Sequence, residues 1–560
     1  MARPTEPPLP TWRLLLLCGA GALAYGALSR LWPEADARLS LFALGLALLF
    51  PLSAWTRARG RRGARALLWV GVLGCWALAA PRLSDSPGRA LLAFLLGGSL
   101  LAGGLAPPQS SPRRARRLGA PWWEPVLHDP ARLLVVSFLL SGLAGGALLS
   151  LPWAVTQPIS GLDALFTSFS AVCVTGLIVL DTPVAFTGFG QAAILLLIQV
   201  GGLGIMAFST AALFLMGRRL SLEHEAAVSQ LFGEHGGGLG RAVRQVFVIT
   251  FGVEALGAVV LSGLFWRAGD PLGQAAWRGL FTAISAFCNA GFALQSESLI
   301  PYQDSPAILH AVAALIVLGG LGPVVVGLLP HLIRRRRLSP QAKLVLAATA
   351  LLLIGPALFL AAAEWDRGLG TVSGAGAKLS NAWFQSVTLR TAGFNSIDLT
   401  RLGPASITLS LAIMVVGGCP GGTAGGIKTT TAALLFLATW AGVRGRDQVS
   451  VFGFRVGRRT IFKAFATVAL FAYAAFLALV ALQLTQSTPF LRLLFEVISA
   501  LATVGLSLGA TAELDGVGKV IVITCMLAGR VGPLTLFLLL AEPERAAGRW
   551  QRPRAEIATG

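Results

Sequence analysis

Apolar stretches of about 20 residues, each long enough to cross the roughly 30 Å hydrocarbon core of a bilayer as a helix, recur along the chain. The first is Trp12 to Leu31, and the last ends near Leu540. There are about twelve, separated by short polar or basic connections. The first is not expected to be a removable signal, because three more follow at once. The pattern predicts an all-α polytopic membrane protein.

Four short segments within this pattern resemble one another, and each ends in Gly followed by Leu or Phe. An apolar stretch too short to span a bilayer precedes each segment. A second glycine-rich motif begins 24 to 28 residues after the glycine in every case. The segments are Ser170–Leu177, Ser285–Phe292, Ser386–Phe394 and Ser499–Leu506, and the later motifs are Gly201–Gly204, Gly319–Pro323, Gly417–Gly421 and Gly529–Pro533.

Four paired matches in register predict four copies of one helix, pore loop, helix unit. Units inserted in the same orientation close naturally around an axis, so we expect parallel repeats around one central pore. The predicted repeats are 131–216, 243–333, 342–441 and 461–540. Residues 1–130 are predicted to form a block of about four further transmembrane helices and a basic linker. Residues 541–560 are predicted to be a cytoplasmic tail.

Non-helical backbone at membrane depth is tolerated only where protein encloses it or water reaches it. Glycine permits positive φ, so successive carbonyls can turn toward an axis and replace water around a dehydrated cation. Close helix packing is the alternative role for such glycines, but four in register argue against it. The predicted filter residues are Val174, Thr175, Gly176, Asn289, Ala290, Gly291, Thr391, Ala392, Gly393, Thr503, Val504 and Gly505.

The charge is distributed along the chain, although the formal total is +20. Basic clusters lie between apolar stretches, at Arg57–Arg65, Arg113–Arg117, Arg218–Arg219, Arg334–Arg337 and Arg444–Arg459. The positive-inside rule places them on the cytoplasmic face of a cell (inner) membrane, with both termini cytoplasmic. A nucleic-acid partner is not expected, because the charge forms no single patch on a soluble domain.

Enzyme chemistry is not indicated. The six cysteines lack CxxC spacing, so they are expected to be small apolar fillers. The five histidines form no metal-binding pair at helical spacing. An intramembrane enzyme would need clustered catalytic side chains, which are not evident. A carrier with inverted repeats is also disfavoured, because all four units carry basic loops on the same side. No cofactor is expected, and a transported cation in the filter is the only metal expected.

Several motifs in Ala131–Leu540 resemble the Trk/Ktr/HKT superfamily of potassium transporters, and look most like its bacterial KtrB and TrkH pore subunits. They are Val174–Leu177, Arg390–Asn395, Gly417–Thr430 and Gly529–Pro533. The resemblance implies potassium uptake by a pore-forming subunit, with a potassium ion in the filter only; a sodium or sodium-coupled transporter of the same fold is the alternative. Sodium-favouring plant members carry Ser at the first filter glycine, where this chain has Gly176. The block before Ala131 departs from the family pattern.

The segment Gly421–Thr430 could be mistaken for a phosphate-binding loop, but its lysine stands one place late and it interrupts a membrane helix. Broken helices at membrane depth belong to transport paths. The resemblance implies a gate below the filter, to which Arg530 adds a positive charge; the alternative is that Arg530 binds helix-end carbonyls and joins repeats. The predicted gate residues are Gly418, Cys419, Pro420, Gly421, Gly422, Thr423, Ala424, Gly425, Gly426, Ile427 and Arg530.

Two charged residues, Arg390 and Glu496, precede the filter in repeats three and four, and an unpaired buried charge is costly. We therefore expect them to support the filter as a pair; in the alternative, each faces the outer vestibule separately. The resemblance also implies a homodimer and a cytosolic ring of nucleotide-binding subunits, KtrA/TrkA-like, docked on Arg218–Glu225, Arg334–Lys343 and Arg444–Arg459. Passive and ion-coupled uptake both remain open.

Overall fold

The computed structural model describes residues 130–217, 239–328, 338–446 and 448–532. The predicted block at 1–130 lies outside these ranges, apart from the first residue of a helix at Pro130. The loop Arg218–Glu225, the start of Arg334–Lys343 and the predicted tail also lie outside them.

The described chain repeats one order of elements four times: a long helix, a short helix and a further helix. The first unit contains α1 (Pro130–Leu149), α2 (Gly161–Val172) and α3 (Gly188–Gly217), and the second contains α4 (Leu239–Arg267), α5 (Leu272–Cys288) and α6 (Pro306–Val326). The third contains α7 (Pro340–Ala363), α8 (Ala375–Thr388) and a final helix split into α9 (Pro404–Met414) and α10 (Thr429–Val443). The fourth contains α11 (Arg458–Thr485), α12 (Phe490–Ala502) and α13 (Gly516–Val531).

Six of these helices, α1, α3, α4, α6, α7 and α11, are long and apolar enough to cross a membrane. Large apolar side chains on them face outward, including Leu351, which is 73% exposed, and Leu484, which is 75% exposed. A water-soluble protein would not leave so many large apolar groups uncovered, whereas lipid accommodates them. The multi-pass helical architecture predicted from the sequence is confirmed.

A departure from purely helical structure lies between α10 and α11. Two antiparallel strands, β1 (Ser450–Val451) and β2 (Phe454–Arg455), form a hairpin there. Its turn contains Phe452 and Gly453, both with positive φ. Arg444, Arg446, Arg455, Arg458 and Arg459, in or beside this hairpin, are all exposed.

Local sequence explains where several helices begin. The hydroxyl of Ser160 accepts a hydrogen bond from the Asp163 N–H (3.1 Å) at the start of α2, and Ser339 does the same for Ala342 at the start of α7. The Asp515 carboxylate accepts from the Gly518 N–H (2.7 Å) at the start of α13. These side chains replace partners that the first turn of a helix lacks.

The units contact one another in a closed cycle. Each final helix packs against the short helix of the next unit: α3 against α5, α6 against α8, α9 against α12, and α13 against α2. An ion pair between Lys519 on α13 and Asp163 on α2 (2.6 Å) joins the fourth unit to the first. The four short helices are therefore enclosed by protein, which accounts for buried polar side chains such as Ser168 and Gln385 on them.

The second glycine motif lets each final helix approach the end of its short helix. A Cβ at Gly201 would collide with the Val172 carbonyl oxygen, and one at Gly319 would collide with that of Phe287. Gly529 has the same relation to Leu501. Gly417 differs, because its neighbour is the Gly425 carbonyl within the broken helix of its own unit. Three of the four motif glycines thus share one packing role.

Candidate functional site

The four glycine-ended loops share one backbone conformation. In each loop, the residue two places before the glycine has left-handed φ, and the glycine itself has positive φ. The values are 54° at Val174, 59° at Asn289, 67° at Thr391 and 52° at Thr503, then 90° at Gly176, 72° at Gly291, 79° at Gly393 and 92° at Gly505. Non-glycine residues rarely adopt such φ values, so their repetition indicates one loop structure built four times.

The four glycines, which we call the glycine ring, meet one another in sequence order. A Cβ on each glycine would collide with or closely approach the carbonyl oxygen just before the next glycine. The pairs are Gly176 with Ala290, Gly291 with Ala392, Gly393 with Val504, and Gly505 with Thr175. The cycle closes from the last loop to the first. All twelve predicted filter residues therefore come together, and four peptide carbonyls lie in the contacts between successive loops.

Hydroxyl groups at the ends of the short helices hold these loops in two different ways. The hydroxyls of Ser170 and Ser499 accept hydrogen bonds from the N–H groups of Gly176 and Gly505, both at 3.1 Å. In the middle units, Ser285 donates to the Phe292 carbonyl (2.7 Å), and Thr388 donates to the Phe394 carbonyl (2.8 Å).

On one side, the glycine ring opens into a cavity of about 570 Å³, and all four ring glycines line it. Asp181, Glu297 and Asp398 contribute carboxylates to its wall, and Arg401 contributes a cation. Arg401 lies 3.4 Å from Asp398. Acidic groups exceed basic ones in this lining, which attracts cations toward the ring.

On its other side, the glycine ring is covered by residues 415–428, the segment between α9 and α10, which we call the broken-helix loop. The N–H groups of Cys419 and Thr423 donate to the carbonyls of Gly320 (2.9 Å) and Gly319 (3.1 Å) on α6. The Thr423 hydroxyl donates to the Phe287 carbonyl (3.0 Å) and contacts the Asn289 amide group (3.3 Å). The loop is thus bonded directly to the second filter loop.

Arg530, which is 4% exposed, binds this loop from the fourth unit. Its guanidinium donates to the Thr423 carbonyl (2.5 Å) and to the Gly201 carbonyl on α3 (3.1 Å). The side chain therefore connects the fourth unit, the broken-helix loop and the first unit. A buried cation is placed beside the loop, and carbonyl dipoles compensate its burial.

A sequence model described as "TrkH: Cation transport protein" matches residues 127–547. The chain belongs to the TrkH family. Family membership agrees with the resemblance seen in the motifs, and the chain is a transporter and not an enzyme.

Relatives of this TrkH-family chain align along most of their own lengths. "Ktr system potassium uptake protein B" from Vibrio alginolyticus is 38% identical, covering 77% of this chain and 94% of the relative. The protein of the same name from Bacillus subtilis is 36% identical, with coverages of 78% and 98%. "Potassium/sodium uptake protein NtpJ" from Enterococcus hirae is 34% identical, with coverages of 77% and 97%.

The fold is also similar to a solved structure, the potassium transporter TrkH from Vibrio parahaemolyticus. The TM-score is 0.59 at 20% sequence identity, with coverage of 94% of this chain and 97% of that one. The likeness supports the fold assignment.

The predicted pair between Arg390 and Glu496 is wrong for this TrkH-family chain. The Arg390 guanidinium donates to the Gly417 carbonyl (2.9 Å) at the start of the broken-helix loop. The Glu496 carboxylate accepts from the hydroxyls of Ser507 (2.8 Å) and Thr511, on the cavity side of the ring. Arg390 therefore reaches toward the broken-helix loop, whereas Glu496 reaches toward the acidic cavity.

Polar roles of two cysteines were also missed by the sequence reasoning, which expected apolar fillers. The Cys288 thiol lies 3.7 Å from the Glu254 carboxylate, and the Cys419 thiol lies 3.6 Å from the Thr429 hydroxyl. Glu254 itself was not singled out, although a lone acid inside an apolar stretch was a usable signal. Within the described ranges, no group of three His, Cys, Asp or Glu side chains could hold a metal ion.

Proposed function

We propose that this protein takes up potassium across the cell membrane as the pore-forming subunit of a Trk/Ktr-type system. The four units are the predicted parallel repeats around one pore, and the glycine ring and the residues before it are its selectivity filter. The closed cycle of four loops with matched backbone angles carries this proposal. Such a cycle can present carbonyl oxygens to a dehydrated cation from all sides. The names of the Vibrio alginolyticus and Bacillus subtilis relatives agree with it.

The direct test is uptake of radioactive rubidium by the purified protein in liposomes loaded with potassium, with sodium and proton gradients set independently. We expect uptake that excess external potassium suppresses and excess external sodium does not. Restored growth at low potassium in cells lacking potassium uptake would support the same conclusion. Folded protein that moves no rubidium would contradict the proposal.

Sodium transport, or sodium-coupled uptake, is the second candidate. It is favoured by the Enterococcus hirae relative, whose name includes both potassium and sodium. In the same liposomes, rubidium uptake that requires a sodium gradient would indicate coupling. Sodium uptake at the rate of rubidium uptake would indicate a filter without preference.

The broken-helix loop and Arg530 form the gate in this proposal. The loop covers the ring on the side away from the acidic cavity, and Arg530 places a positive charge beside it. A cation leaving the filter therefore meets both a steric and an electrostatic barrier. For a cation to pass, the broken-helix loop must move, and Thr423 must break its hydrogen bonds to Gly319, Phe287 and Arg530.

A cytosolic partner and a homodimer complete the proposal. The Ktr relatives are named as components of a system, which suggests further subunits. We place a ring of nucleotide-binding subunits against the exposed arginines of the α10–α11 connection. By the positive-inside rule this face is cytoplasmic, and both termini lie on the same side of the membrane. Each protomer of the dimer would keep a pore of its own, because one chain already closes the cycle of units.

A further inference from the structure

A carboxylate lies deep inside the membrane-spanning part of α4. Glu254 is 3% exposed and stands near the middle of the apolar span Val243–Arg267. Within the described ranges, the acids that form ion pairs are Asp163, Asp270, Asp398 and Glu513. Glu254 is not among them. An ionisable residue at this depth, without a cationic partner, calls for a functional explanation.

Glu254 has polar contacts with two side chains from neighbouring helices. The Gln199 side-chain amide donates to both carboxylate oxygens, at 3.3 and 3.1 Å. The Cys288 thiol approaches one of them at 3.7 Å. An ionised carboxylate only accepts, whereas a protonated one also needs an acceptor for its own proton. Donation from Gln199 and Cys288 therefore stabilises the ionised form of Glu254.

The position of these residues places the charge directly behind the filter. Cys288 is the last residue of α5, and the next residue, Asn289, is a predicted filter residue. Gly202 on α3 permits the close approach, because a Cβ there would lie 2.6 Å from the Cys288 sulfur. Glu254 does not line the acidic cavity, and its contact with the second filter loop runs through Cys288.

We propose that Glu254, in its ionised form, supplies a negative charge behind the filter that raises the affinity of the filter for cations. This inference rests on the proposed function. Coulomb attraction is poorly screened where water is excluded, so a charge in contact with Cys288, the residue before the loop, acts on an ion within the loop. The attraction is the same for all monovalent cations at one position. Glu254 therefore sets how tightly the filter holds ions, whereas the carbonyl geometry determines which ions it prefers.

The main experiment replaces Glu254 with glutamine, which keeps the size and an acceptor oxygen but removes the charge. Rubidium uptake into liposomes is measured over a range of rubidium concentrations, together with the preference for potassium over sodium. We expect the half-saturating concentration to rise at least about threefold, with the preference unchanged. A mechanical link between α3, α4 and α5 would instead alter the preference, because it would change the loop geometry.

Three further variants separate charge from contact. Glu364→Gln is the matched control, since Glu364 is also buried but binds the N–H groups of Gly403 (2.9 Å) and Gly368 (3.2 Å), away from the filter loops. Cys288→Ala removes the thiol contact and keeps the charge. Glu364→Gln should leave the half-saturating concentration unchanged, and Cys288→Ala, which removes one of the donors to Glu254, should raise it less than Glu254→Gln does. Gln199→Leu removes donors that favour the ionised form, and should raise it as Glu254→Gln does.

An unchanged half-saturating concentration in Glu254→Gln would overturn the proposal, as would an equal shift in Cys288→Ala. If Glu254→Gln does not fold, Gln199→Leu carries the test, and an unchanged value there overturns the proposal in the same way. A wild-type protein that moves no rubidium would refute the proposed function itself, which is a different outcome.

Discussion

The conformation of Gly176 explains why this position admits so few side chains. Its φ is 90°, and a Cβ would collide with the Ala290 carbonyl oxygen of the next loop. Serine here must therefore displace the ring or force the loop into another conformation. We expect Gly176→Ser to lower the preference for potassium over sodium about tenfold, a difference of ~1.4 kcal/mol. Competition between the two ions for rubidium uptake measures it.

Gly188→Ser is the matched control for this substitution. Gly188 begins α3, has no atom within 4 Å of the position a Cβ would occupy, and lacks positive φ. The Gly188→Ser variant should prefer potassium over sodium as strongly as the wild type does. If Gly176→Ser discriminates the two ions as well as the wild type does, the filter has been misplaced.

Arg530 holds the broken-helix loop through one hydrogen bond and provides a charge beside it. Alanine removes both parts of the barrier. Since about 1.4 kcal/mol changes a rate tenfold, we expect Arg530→Ala to raise potassium flux roughly tenfold in liposomes. A lower flux from correctly folded protein would show that Arg530 serves only to join the units.

Lysine at the same position separates the charge from the hydrogen bonds. Arg530→Lys keeps the positive charge, but a single ammonium group cannot reproduce the planar guanidinium that binds the carbonyls of Thr423 and Gly201. A flux near that of the wild type would assign the barrier to charge. A flux near that of Arg530→Ala would assign it to the bonds.

The repeat in the sequence predicted which residues lie together in the loops. It did not predict the hydrogen-bond partners of individual side chains, which depend on side-chain direction. The four matching segments are the ones whose glycines meet in the glycine ring. The partners of Arg390 and Glu496 depend on which side of the ring each side chain reaches, and a one-dimensional pattern does not contain that direction. The link from Gln199 to Glu254 joins residues from two units, so spacing could not reveal it.

Among the elements, the broken-helix loop has the most distinctive anchoring. Thr423 uses its N–H, its hydroxyl and its carbonyl to bind three different partners. Thr423→Val keeps the shape and removes the hydroxyl bond to the Phe287 carbonyl. A typical net value for such a bond is ~1 kcal/mol, so we expect flux to rise about fivefold.

Thr408→Val provides the comparison for this change, because its hydroxyl binds only the Pro404 carbonyl within the exposed side of α9. It should leave flux unaltered. Deletion of residues 421–425 removes the centre of the loop and should raise flux further than Thr423→Val. Equal flux in the deletion variant and the wild type would mean that the loop does not limit permeation.

At the scale of elements, the prediction from sequence was strong for the membrane helices and weaker for their connections. Apolar length alone identified the six long helices. The third final helix was expected to break, and it does so between Met414 and Thr429. The β1–β2 hairpin was not foreseen, because two-residue strands carry too little pattern to be recognised.

For the whole molecule, the exposed arginines beside the hairpin offer a large basic surface for a regulatory partner. Replacing Arg444, Arg446, Arg455, Arg458 and Arg459 with Gln should abolish co-purification of the cytosolic ring and the dependence of flux on nucleotide. The physical reason is the loss of charge-assisted contacts at the interface. The measurement requires that membrane insertion be unchanged, since the same charges influence topology.

Replacing Arg267 and Arg401 with Gln removes cations elsewhere on the chain and should leave partner binding intact. Arg401 lines the acidic cavity on the other side of the ring. Full retention of both partner binding and nucleotide response in the five-residue variant would refute the docking surface. Loss of partner binding and of the nucleotide response in the Arg267 and Arg401 control variant would show that the effect depends on total charge and not on this surface.

A single chain closing the glycine ring has a consequence for how such a protein can evolve. In a ring of four identical subunits, each codon change alters every quadrant at once. Here, the position two residues before the glycine holds Val174, Asn289, Thr391 and Thr503, all with the same backbone conformation. Mutation can thus modify one quadrant while the other three retain their chemistry. Ion preference becomes a property that selection can adjust in small increments, and the four quadrants are free to specialise.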